Sequence, residues 1–215
     1  MADDSNPVAG QAQRSLKDEI EELKRARVLE AATKLFLSHG YVGTSLDAVA
    51  QLAGVHKPVI YNHFGNKADL LATVARRGLC GAFECATALK ARSGTPTQRM
   101  QAFLRDFARS VIQNRASLAI YFREEMQLPE DSVESQSLLR AEFDAIVTEV
   151  IQEGVRTGEF SVKDTSLATL GIGGLMTWMF LWYKPTGRLS EDEVVDCMAD
   201  LGLQMILRTR ADAAQ

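Results

Sequence analysis

The 215-residue chain is poor in the side chains that most catalytic and metal-binding chemistry needs. Its three histidines, His39, His56 and His63, all fall early, so the long remainder has no imidazole for a nucleophile–base pair or a zinc site. Three cysteines, Cys80, Cys85 and Cys197, have neither an even count nor metal-ligand spacing, which excludes a disulfide framework. They read as small buried apolar side chains in a reducing cytoplasm. No glycine-rich phosphate loop is present: "GIGGL" lies inside an apolar stretch, where close packing is the simpler purpose. The acidic pair Glu124 and Glu125 is adjacent, hence splayed to different sides of a helix. Sustained apolar–polar alternation is also missing, which leaves no half-buried strand. These absences exclude an enzyme of familiar type and call for no cofactor and no metal.

Charge is short of one sign overall, with a net value of −4, but it is unevenly spread. Residues 1–22 carry six acidic and two basic side chains, residues 23–67 six basic and two acidic, and residues 68–215 twenty acidic and sixteen basic. The middle block is a local positive module of the kind that attracts phosphate. The start, "MADDSNPVAGQAQRSLKDEIEE", is acidic and has no apolar centre, so it is no signal peptide, and residues 1–15 read as a disordered tail. From Leu167 to Tyr183 the chain runs 17 residues without a charge, at the lower limit for a membrane span. Three glycines within it and the flanking Asp164, Lys184 and Pro185 favour a buried helix and no membrane partner.

What the chain has is helical periodicity almost throughout. Val28, Ala32, Leu35 and Phe36 make one stripe on a helix from Leu16 to about His39, which Gly40 ends. A second, short helix starts at the N-cap Ser45, buries Leu46, Val49, Ala50 and Ala53, and stops at Gly54. A third opens near Lys57, where Pro58 is tolerated because first-turn amides have no intrahelical partner. Ile60 and Phe64 face its core. Lys57, Pro58, Val59, Tyr61, Asn62 and His63 are left on the rest of its circumference. Two short helices braced by a longer one form a helix-turn-helix, whose uncovered second helix suits the DNA major groove. Lys57 can reach guanine or phosphate, Asn62 adenine, and Pro58 or Val59 a thymine methyl; Thr44, Ser45, Tyr61, His63 and Lys67 suit phosphate oxygens.

Residues 27–71, "RVLEAATKLFLSHGYVGTSLDAVAQLAGVHKPVIYNHFGNKADLL", resemble the DNA-binding domain of the TetR family of one-component bacterial regulators. The likeness rests on "HG" at the first helix end, the "TS" cap, "AGV", and "YNHF" followed by "NKADLL". The "HKP" opening departs from the Ser-Lys-Gly common in the family, and His56 is a weaker N-cap than serine. The resemblance implies an all-α protein: a three-helix helix-turn-helix domain over residues 16–66, then a six-helix ligand-binding and dimerisation domain over residues 67–215. The periodicity agrees, with helices from about Lys67 to Ala91, Thr97 to Arg115, Leu118 to Gln127, Glu134 to Thr157, Thr165 to Tyr183, and Ser190 to about Arg208.

The family pattern further implies a homodimer through the last two helices. Gly171 and Gly174 would permit close approach there, and Trp182, Met198, Leu201 and Met205 would supply apolar surface. "YFREEMQLPED" and the junction "WYKPTGRLS" look like the branch of the family that regulates fatty-acid and sterol catabolism, whose effectors are acyl-CoA thioesters. On that reading Phe103, Phe107, Tyr121, Phe122, Met126, Phe143 and Trp178 line an apolar tunnel, and Arg123, Arg140 or Lys184 meet the anionic CoA. The expected function is a cytoplasmic repressor that binds palindromic operator DNA and is released by a long-chain or ring-derived acyl-CoA. Two alternatives stand beside it: a regulator of efflux or aromatic-compound genes that responds to a drug-like molecule, and a constitutive DNA-binding or scaffold dimer.

Overall fold

The first helix, α1 (Leu16–His39), begins the part of the chain that a computed structural model describes, residues 16–207. The expected tail over residues 1–15 and the expected helix end at Arg208 lie outside it. Val28, Ala32 and Phe36 are fully buried with Leu35 packed beside them, so the stripe read from spacing is the face α1 turns inward. Burying a side chain such as Phe36 stabilises the fold by roughly 1.5–3 kcal/mol. Gly40, at φ 72, stops the helix, and its amide bonds the Phe36 carbonyl at 2.9 Å.

Two short helices follow, α2 (Leu46–Ala53) and α3 (Lys57–Phe64), then α4 (Lys67–Ala91) and α5 (Pro96–Gln113). The remainder comprises α6 (Arg115–Glu124) with a 3-10 turn at Glu125–Gln127, α7 (Glu130–Thr157), α8 (Thr165–Thr177), α9 (Met179–Trp182) and α10 (Glu191–Gln204). The protein is all-α, as expected. Among the described residues the β pairing is one isolated antiparallel bridge, Phe160 to Leu207. Helix starts differ from expectation where local chemistry decides them. Helix α5 begins one residue earlier because Thr95 and Gln98 close a reciprocal capping box ahead of Pro96. Helix α7 begins at Glu130 because Pro129 fixes the extended approach and two acids favour the first turn.

Helix α4 joins two cores. Its Leu70, Leu71, Val74 and Ala75 pack with α1–α3, whereas Ala86 and Leu89 pack with α5, α7, α8 and α10. The expected division at residue 67 is a change of helix; the cores part near Gly78. A Cβ at Gly78 would stand 2.8 Å from Leu118 Cδ2, so glycine there lets α4 and α6 cross closely. Helix α6 also feeds both cores, Leu118 into one and Ile120 and Tyr121 into the other.

The apolar helix expected from Thr165 to Tyr183 breaks at Trp178, where ψ is −12° and the amide turns back to Gly174. Gly173 and Gly174, poor helix formers, lie in the turn before the break. Nor is this segment a buried helix. Thr165–Trp182 is long and apolar enough to cross a membrane by length and composition, yet only 22% of it is buried in the structure. Leu167, Leu170, Trp178, Leu181 and Trp182, with Leu201 of α10 and Met205 just after it, are 46% to 68% exposed. The cysteines also differ from expectation: Cys80 and Cys85 are half-buried and Cys197 is exposed.

Candidate nucleic-acid interface and internal cavity

The uncovered surface of α2 and α3 is built by two different helix starts. Ser45 caps α2 by accepting the Ala48 amide at 3.1 Å, and Gly54, left-handed at φ 67, ends it so that the chain reverses within three residues. His56 precedes α3 with no side-chain cap, and Pro58 sits in the first turn. Ile60 and Phe64 are buried while Pro58, Tyr61 and Asn62 are exposed and Val59 is half-buried. Lys57 lies at the rim, its Nζ 2.9 Å from Asp47 Oδ2, an acid that helix spacing alone does not mark as part of this face. That hydrogen bond raises the Lys57 pKa and keeps the ammonium charged. The basic block is likewise tethered by local acids, Lys24 to Glu21 and Lys34 to Glu30, each at 2.7 Å. Exposed pairs of this kind are worth little, so phosphates can displace the carboxylates.

Three of the nine residues assigned to DNA are held elsewhere. Thr44 is buried and its hydroxyl donates to the Gly40 carbonyl at 2.8 Å, so it shapes the α1–α2 corner. His63 turns toward α1, with Nε2 3.1 Å from Glu21 Oε2. Lys67 places Nζ 4.3 Å from the centre of the Tyr41 ring. Of the other six, Ser45, Pro58, Tyr61 and Asn62 are exposed and Lys57 and Val59 half-buried.

A cavity of about 210 Å³ lies among α4–α8. Phe107, Tyr121, Phe122, Arg140 and Phe143 line it, as do Leu79, Ala82, Leu139, Asp144, Leu170, Gly173, Gly174 and Thr177. Phe143 and Phe107 pack with ring centres 5.2 Å apart. Of the other residues expected to line a tunnel, Phe103 is fully buried behind that wall, against Phe107 and Phe143. Trp178 stands edge-on to Phe122, Met126 is 93% exposed, and Lys184 sits in the loop before α10. The Arg140 guanidinium rests 5.9 Å from the Tyr121 ring. Asp144, one turn on, has its carboxyl held above the ordinary value by burial, with Arg140 opposing. The spacing of Arg140, Phe143 and Asp144 on one face of α7 could have disclosed the acid; the leucines carry no signal distinct from core.

Arg123 does something other than meet a ligand. Its guanidinium donates to the Phe36 and Leu37 carbonyls at the end of α1, the latter at 2.9 Å. Glu124 Oε1 accepts the Tyr41 amide at 3.1 Å and Arg123 Nε at 2.9 Å. Residues 121 and 122 thus touch the cavity, while residues 123 and 124 grip the helix-turn-helix. Of the residues assigned to a dimer surface, Trp182, Leu201 and Met205 are exposed and Gly174 has open space before it. Met198 is buried instead, and Gly171 packs beneath Met205.

Comparison with known proteins matches residues 28–74 to the model of bacterial regulatory proteins of the tetR family, and residues 93–206 to the tetracyclin repressor-like C-terminal domain. The HTH-type transcriptional repressor KstR2 of Mycolicibacterium smegmatis is 26% identical over 177 residues, covering 80% of this chain and 84% of that protein. The TetR family regulator PfmR from Thermus thermophilus superposes with a TM-score of 0.75 at 27% identity, over 83% of this chain and 97% of its own. AibR, in a complex with isovaleryl coenzyme A and operator DNA, shares the fold with a TM-score of 0.71 at 23% identity, over 83% and 97% of the two chains.

Proposed function

This chain belongs to the TetR family of transcriptional regulators, which are DNA-binding proteins and not enzymes, and on that premise we propose that it is a homodimeric repressor released from its operator by an acyl-CoA thioester. One observation carries the switch: the same helix, α6, lines the cavity with Tyr121 and Phe122 and holds the end of α1 with Arg123 and Glu124. An effector that fills the cavity moves Phe122 and with it the clamp, so the two α3 helices of a dimer no longer suit successive major grooves. Its differential affinity for the two states sets the largest loss of operator affinity it can cause.

The apolar surface of α8, α9 and α10 supports the dimer. Leucines and tryptophans exposed this far form a patch that a second copy would cover, and one patch facing itself gives a closed pair. The effector class draws on the KstR2 and AibR likenesses, and on Arg140, the cavity-lining cation among the described residues, for the anionic CoA. The cavity is partly open, with Phe122 and Leu170 exposed at its edge, which suits entry of an acyl group while the CoA stays outside. The aromatic lining and the acid Asp144 favour a second reading, a drug-like aromatic effector. Operator DNA bearing a fluorophore separates them: isovaleryl-CoA and phenylacetyl-CoA lower its anisotropy with the protein at micromolar levels, and free CoA does not. Thioesters that bind no better than CoA would leave the drug-like reading and the constitutive dimer.

A further inference from the structure

The cavity has one feature an acyl chain alone does not satisfy. Asp144 lines it from α7, among phenylalanines and leucines, and no hydrogen bond or ion pair closes on its carboxylate in the described chain. Several neighbouring polar groups have contacts of their own. Arg140, one turn earlier, rests its guanidinium 5.9 Å from the centre of the Tyr121 ring, and its charge acts on Asp144 without closing an ion pair. Thr148 and Thr169, which share the adjoining α7–α8 groove with Asp144, bond each other at 2.8 Å, and Thr169 also donates to the Thr165 carbonyl at 3.0 Å.

An apolar group that filled this space would strip water from a carboxylate and return nothing, which costs free energy. A ligand with an anionic end inside would add repulsion. A half-buried acceptor that loses its water when the site fills selects for the partner that satisfies it and disfavours the analogue that lacks the donor. From this geometry we infer that the part of the effector entering the cavity is a ring or short chain bearing a hydrogen-bond donor, a hydroxyl or an ammonium, which Asp144 accepts. This rests on the reading of the cavity as the effector site and narrows it: among acyl thioesters the hydroxylated ones fit, and among drug-like molecules the alcohols and amines. Burial, which raises the Asp144 pKa, agrees with a carboxylate short of partners.

Four probes of one size and shape test it on the whole chain: phenylpropanol, phenylpropylamine, propylbenzene and phenylpropionate, titrated calorimetrically. The wild type binds the alcohol and the amine about tenfold tighter than the hydrocarbon and the acid. In Asp144→Ala that preference collapses. Asp144→Asn, which keeps an acceptor without charge, retains the preference for the alcohol and loses it for the amine. Equal binding of all four by the wild type, or preference for the acid, overturns the role of Asp144 and leaves the cavity reading standing. No binding of any probe overturns both. Sedimentation of Asp144→Ala completes the test: an altered dimer would mean that a second copy, not a ligand, satisfies the carboxylate, and would overturn the inference.

Discussion

Replacing Glu124 by alanine removes a carboxylate that ties the cavity helix to the turn after the first helix of the DNA-binding unit. The side chain is 11% exposed, and its Oε1 receives the Tyr41 amide and the Arg123 guanidinium. Its pairing with Arg123, which is 44% exposed, contributes little, about 0–1 kcal/mol. The half-buried Tyr41 amide is the larger loss, since a donor deprived of a charged acceptor costs roughly 1.5–3 kcal/mol. A total of about 2 kcal/mol lowers the Tm by about 4–8 °C for a chain of this size. Circular dichroism melting measures that, and Glu124→Gln, which keeps an oxygen for Tyr41, recovers most of it. The functional consequence follows from the same contact: with the clamp open, the factor by which an effector weakens operator binding falls toward one, while operator affinity without effector changes less. A Glu124→Ala protein that melts within about 1 °C of wild type, with undiminished effector response, would refute both the energetics and the route through α6.

Other substitutions probe the remaining surfaces. Lys57→Ala should reduce the slope of log affinity against log salt by about one if Lys57 neutralises a phosphate, and Asn62→Ala should relax the preference for one base. Asp47→Asn frees Lys57 and removes an acid from the DNA side, so binding to unrelated duplexes tightens. Leu181→Glu, placed on an exposed apolar position, yields a folded monomer by sedimentation equilibrium and weak binding to a two-half-site operator. Asp144→Asn is stabilising at neutral pH. The folded carboxyl has a raised pKa, so the wild type holds its proton more tightly folded than unfolded and loses stability as pH rises from about 4 through the folded value. The gain in the variant is therefore absent at acid pH and full at neutral pH, which paired melts at two pH values would show.

The helix-turn-helix is legible in the sequence because short-range rules decide it. Ser45 caps, Gly40 and Gly54 stop helices, Pro58 starts one, and the buried set of α2 is the set that spacing names. The side-chain partners are less legible, because they come from other helices: nothing in the stretch around His63 discloses Glu21, and nothing near Lys67 places it on Tyr41. The same limit applies to the cavity. Phe103 and Phe107 lie one helical turn apart and look alike in sequence, yet Phe107 is the wall and Phe103 stands behind it. Met126 follows Tyr121 and Phe122 closely enough to suggest lining, but the 3-10 turn carries it into solvent. Arg123 reads as a charge for a ligand, and the carbonyls it meets lie more than eighty residues away.

The account turns on the exposed face of α3, and selection of bound duplexes from a random-sequence pool measures it without knowledge of the operator. The wild-type chain should enrich an inverted repeat whose half-sites lie about one helical turn apart. The Lys57→Ala, Tyr61→Ala variant, folded by circular dichroism, should enrich none. Recovery of the same repeat by the variant with undiminished affinity would contradict the assignment of this face to DNA.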